Sequence, residues 1–133
     1  MKKVVYLMIL LILIVKLVGC TKENESDYKK LIIEKRIKTS NDYEKFAEII
    51  DKNLIKEVND IIKNIKWDNS KVCMVRPPEY KFYFENLKDS IYELWISPNK
   101  EQLEIVIESK SKYIQLDEKE SNKLLKAFEI YKR

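Results

Sequence analysis

The 133-residue sequence has no histidine, one glycine, two cysteines and three prolines. Without imidazole there are no Ser-His or Cys-His nucleophile pairs, and the commonest metal ligand is missing. The one glycine, Gly19, lies near the N-terminus. Phosphate loops and dinucleotide turns need glycine backbone and have nothing to be built from after it. Two cysteines cannot make a disulfide framework. No cofactor, metal site or catalytic residues are therefore expected, and the chain reads as a non-enzyme. A glycosidase-like pair of carboxylates stays formally open, because acidic residues are plentiful.

The longest apolar run is Val4 to Val15, preceded by Lys2 and Lys3 and closed by Leu17-Val18-Gly19-Cys20. Positive charge ahead of a short apolar core is what an export signal needs. The run falls short of the ~20 apolar residues that span a bilayer. Its ending resembles the lipobox of a bacterial lipoprotein signal: aliphatic, small, small, cysteine. The resemblance implies cleavage before Cys20 and a diacylglycerol thioether on its sulfur. Two acyl chains hold firmly where one is marginal, at ~0.8 kcal/mol per buried methylene. The expected organisation is a signal peptide over 1–19, a lipid-anchored tether over 20–28 and a single domain over 29–133. The domain would sit on the extracytoplasmic face of the cell membrane. Lys16, inside the apolar stretch, departs from the pattern. An uncleaved anchor ending in cysteine is the blander alternative.

Lys2, Lys3 and Lys16 supply three of the formal charges, so +4 falls to +1 without the leader. No basic face survives, and nucleic acid is not an expected partner. With Cys20 lipidated, Cys73 stands alone in Lys71-Val72-Cys73-Met74-Val75, a context that suggests a buried, inert thiol. The bias toward lysine, isoleucine, asparagine and glutamate fits an AT-rich, Gram-positive genome.

Thr21 to Tyr28 is polar and aperiodic, as a tether should be. Leu31, Ile33 and Ile37 mark a first strand within Lys30 to Ile37. Thr39-Ser40-Asn41-Asp42 carries capping residues, and Phe46, Ile49, Ile50, Leu54, Val58, Ile61, Ile62 and Ile65 follow at helical spacing. They predict a helix from Asp42 to Lys66, with a break near Asp51-Lys52-Asn53. Trp67 to Pro78 is a connector, since Pro77-Pro78 continues neither helix nor central strand.

Four alternating strands then thread into hairpins. The reading sets Phe84 against Tyr92, Phe82 against Leu94 and Tyr80 against Ile96. It sets Ile96, Leu94 and Tyr92 against Leu103, Ile105 and Ile107. Last, it sets Ile107 against Ile114 and Ile105 against Leu116. Every inward residue is apolar, which a one-residue slip would destroy. Asp117, with Glu120 at the capping-box offset, opens a last helix with a stripe of Leu124, Leu125, Phe128 and Tyr131. The expected fold is α+β: an antiparallel sheet of four to five strands, the first strand at one edge, helices on one face, in the order β-α-β-β-β-β-α.

Outward positions in this register include Glu93, Glu104 and Glu108, where solvated charge is the default. The register also places Lys81 beside Trp95, Tyr83 beside Glu93 and Glu108 beside Tyr113. Tyr83, Trp95 and Tyr113 are the candidate binding surface, an aromatic platform suited to recognition. The alternative is that the first strand, connector or tether covers them.

Pro78-Glu79-Tyr80-Lys81-Phe82, Ile91-Tyr92-Glu93-Leu94-Trp95-Ile96 and Lys112-Tyr113-Ile114-Gln115-Leu116 resemble small lipoproteins of Bacillus-type bacteria, nearest the YhfM-like domain. The resemblance implies no catalytic residues. The leading expectation is an anchored binding or accessory lipoprotein with a protein or envelope partner. An inhibitor or immunity lipoprotein against an extracytoplasmic enzyme or toxin is the second, and a carboxylate hydrolase the third.

Overall fold

A computed structural model describes Met1 and residues 28–87 and 89–128. Leu17, Val18, Gly19 and Cys20, the expected lipobox, lie outside these, as does Tyr131. The described chain is α+β, with β1 (Leu31–Arg36), β2 (Tyr43–Ile49), α1 (Lys52–Asn64), β3 (Tyr80–Phe84), β4 (Tyr92–Ile96), β5 (Leu103–Ile107), β6 (Lys112–Gln115) and α2 (Glu118–Ala127). One antiparallel sheet runs β2-β1-β3-β4-β5-β6. It has six strands where four to five were expected. No helix among the described residues is long and apolar enough to cross a membrane.

The extra strand comes from the first half of the expected long helix. Thr39 to Asp42 makes a hairpin turn instead of a cap: the Ile37 amide donates to the Asp42 carbonyl at 2.9 Å, and the Ser40 hydroxyl accepts from the Asp42 amide at 3.1 Å. Ser, Asn and Asp suit both roles. β2 then pairs with β1, with a register shift between Ile33 and Glu34, so that Ala47 faces Ile33 and Lys45 faces Glu34. Phe46 is the extra residue of this bulge and packs against the core beside Ala47 and Ile49. A bulged strand with Phe46, Ala47 and Ile49 on one side therefore imitates a helical stripe. The anticipated break is a true boundary. Asp51 caps α1, accepting from the Asn53 and Leu54 amides at 2.8 and 3.1 Å.

β1 is interior rather than at an edge, because β3 pairs on its other side. The β4–β5 register holds, with Leu94 against Ile105 and Ile96 against Leu103. The neighbouring two hairpins are each displaced by two residues. Phe82 faces Tyr92 and Tyr80 faces Leu94, because Phe82 stacks on Tyr92 at 4.7 Å with an interplanar angle of 8°. Ile105 faces Ile114 and Ile107 faces Lys112, because Glu108–Lys110 forms one 3-10 turn and Ser111 adopts φ 49° to close it. A shift of two leaves every side chain on its original face, so the inward and outward assignments survive.

Ile55, Val58 and Ile62 of α1 and Leu124, Leu125 and Phe128 at α2 join the inward strand residues in one core. Asp117 caps α2 as expected, accepting from the Glu120 amide at 2.7 Å. Tyr28, assigned to the tether, instead stacks on Phe84 at 4.3 Å. The helices thus cover one face of the sheet. What covers the other is the connector.

Candidate functional site

After α1 the chain stays briefly on the core side, where the Trp67 indole lies 6.3 Å from the Tyr92 ring. Asp68 then forms an antiparallel bridge with Tyr113, with amide-to-carbonyl distances of 2.9 and 3.0 Å. This takes the connector round the β6 edge and onto the outward face. It returns to the sheet at Arg76. There the Trp95 indole N–H donates to the Arg76 carbonyl at 2.8 Å, and the Arg76 guanidinium donates to the Ile96 carbonyl at 2.8 Å. Glu79 forms an ion pair with Arg76 and accepts the Ile96 amide at 3.0 Å. Arg76 and Glu79 together bind both backbone groups of Ile96. Alternating turn and proline signals carry no trace of such a clasp.

Between connector and sheet lies a cleft of about 360 Å³. Trp95 and Val106 line it from the sheet, Val72 and Met74 from the connector, and Glu93 and Glu108 at the strands. Its size falls in the ~300–1,000 Å³ range of ligand sites, and its lining mixes apolar side chains with the charged Lys71, Arg76, Glu93 and Glu108. Glu93 pairs with Lys81 at 3.1 Å, and the Lys81 ammonium sits 4.4 Å from the Tyr43 ring centroid. Tyr43 in turn donates to the Pro78 carbonyl at 2.9 Å, tying β2 to the end of the connector. Cys73 lies on the connector and is exposed, not buried, because Val72 and Met74 take the inward positions on either side of it.

The three aromatic residues of the expected platform separate. Trp95 retains only 3% exposure beneath the connector. Tyr113, opposite Val106, donates to Glu104 at 3.1 Å. Burial first, then the bond to Glu104 and the nearby acids, pushes its phenol above the ordinary value. Tyr83 faces Ile32 of β1 and donates to Glu34 at 3.4 Å. Trp95 lies opposite Glu79, whose amide bonds the Leu94 carbonyl. Tyr83 is four residues further along β3, ~13 Å at strand rise. The expected neighbours also change: Lys81 faces Glu93, and Trp95 faces Glu104.

Among the described residues, no group of three metal-ligating side chains converges. Comparison with curated proteins and with solved structures finds no match. Residues 24–133 match the family model described as YhfM protein, which covers both helices and all six strands, and the chain belongs to that family.

Proposed function

We propose that the protein is a lipid-anchored extracytoplasmic lipoprotein whose domain is a non-enzymatic binding module, with the cleft beneath the connector as its contact surface. The observation that carries this reading is the placement of the connector. It lies on the outward sheet face and leaves a hollow of mixed apolar and charged lining against Trp95 and Val106. The address rests on the sequence, where Lys2, Lys3, the apolar run and Leu17-Val18-Gly19-Cys20 make a lipoprotein signal. A family match that opens at residue 24, just past Cys20, fits a domain that begins after a short tether.

Site-specific photocrosslinking in living cells tests the contact surface. Benzoylphenylalanine replaces exposed Val75 at the cleft, or exposed Lys119 on the helix side. Discrete envelope adducts from position 75 and none from position 119 are the expected result. Equal adducts from both positions, or none from position 75, contradict the reading.

A further inference from the structure

We infer that the connector from Asn69 to Val75 is a docking strand for an extended polypeptide, which pairs with it backbone to backbone and sends alternate side chains into the cleft. This rests on the cleft being the contact surface and specifies how it is used.

Along Lys71 to Val75 burial alternates: Lys71, Cys73 and Val75 are exposed, while Val72 and Met74 are half-buried. This period of two is that of a strand lying with one face on the sheet. Yet among the described residues no hydrogen bond joins Asn69 to Val75 to anything. The segment is held only at its ends, by the Asp68–Tyr113 bridge and by the Arg76 clasp. A strand resting on its side chains turns its amides and carbonyls sideways, parallel to the sheet below. Such a row of unpaired groups is a template for another strand. The ligand that matches donors and acceptors in that repeat is a second extended backbone, which is how strand-addition domains take peptides.

The edges of the main sheet are guarded, whereas the connector carries one charge, Lys71, at the head of an uncharged run. β2 carries Glu44, Lys45 and Glu48 and a bulge at Phe46, while the edge of β6 is bridged by Asp68. Val72 to Val75 has no charge at all. A strand laid beside it, at ~4.8 Å, stands over the outward sheet face. Every second residue then points toward the cleft, beside the covered Trp95. Apolar residues at alternate positions are the chemistry that fits.

The test is amide exchange, read by mass spectrometry on the full chain in lipid nanodiscs. The probe is the blocked peptide Lys-Val-Thr-Val-Thr-Val-Lys, and the control is the same peptide N-methylated at each valine. In the free chain the 69–75 segment exchanges fast. The parent probe slows it by about fivefold or more, the effect of roughly one net hydrogen bond, and the methylated probe does not. Cys73→Pro removes one amide from a segment that uses none in the fold. It abolishes the slowing and leaves exchange in the six strands unchanged, whereas Cys73→Ser retains it. Three results overturn the inference: no slowing at millimolar probe, equal slowing by the methylated peptide, or protection without probe that rises with protein concentration. In the second case, crosslinking at position 75 still decides separately whether the cleft is a contact surface.

Discussion

The indole N–H of Trp95 donates to the backbone carbonyl of Arg76 at 2.8 Å, and this bond fixes the connector over the outward sheet face. It joins the middle of a central strand to a loop nineteen residues earlier. Without it, the Trp95 indole N–H would be buried beneath the connector with no partner.

Trp95→Phe keeps one six-membered aromatic ring and deletes the pyrrole ring with its N–H donor. Urea unfolding should show a loss of ~1–3 kcal/mol, from the hydrogen bond and the smaller ring together. Trp95→Ala also opens a cavity and should lose ~3–5 kcal/mol. No loss in Trp95→Phe would mean that the bond contributes nothing.

Arg76→Ala removes the clasp on Ile96 and the ion pair with Glu79. Because Arg76 is half-exposed, the expected loss of stability is small, ~1 kcal/mol. Access to Trp95 should change more. With Trp67→Phe as background, acrylamide quenching should rise and emission should shift to the red. An unchanged emission would show that the connector stays seated without the clasp.

Ser121 is fully buried; its hydroxyl accepts the Leu103 amide at 3.0 Å and donates to the Leu116 carbonyl at 3.4 Å. This ties α2 to the head of β5. Ser121→Ala leaves the Leu103 amide unpaired and should cost ~1–3 kcal/mol in denaturant unfolding. Ser121→Thr keeps the hydroxyl and separates this loss from crowding.

Burial raises the phenols of Tyr43, Tyr80, Tyr83, Tyr92 and Tyr113 above the ordinary value of 10.0. A group whose proton is held more tightly in the folded chain stabilises it fully below that value. The contribution is lost as pH rises through the folded pKa. The midpoint of urea unfolding should therefore fall steeply above pH 10, and these tyrosines should titrate late in ultraviolet difference spectra. Glu48 runs the other way. Its bonds to Lys45 and Lys30 hold it below 4.5, so its contribution disappears as pH falls below that range. A flat alkaline limb would contradict the burial of the phenols.

The last four strands were legible because their alternation fixes a face, and a face survives a shift of two residues. Register was not legible, since ring stacking of Phe82 on Tyr92 and the 3-10 turn after Ile107 decide it. β2 was hidden by its own bulge, which gathers Phe46, Ala47 and Ile49 on one side. At the candidate site, the sequence picks out Trp95 and offers the connector among its possible covers, but it carries no sign of how that cover is held. Nothing local links Arg76 to a carbonyl twenty residues away. The thiol of Cys73 is misjudged for a related reason. Apolar neighbours at alternate positions bury themselves and turn the residue between them outward.

Where the domain works depends on one sulfur atom. Intact-mass and fragmentation spectra of the native chain, extracted from its own membranes, read that sulfur directly. The expected product begins at Cys20, lacks residues 1–19 and carries a diacylglycerol thioether. A chain that retains Met1 with an unmodified Cys20 would contradict the anchor, and with it the extracytoplasmic setting proposed for the cleft.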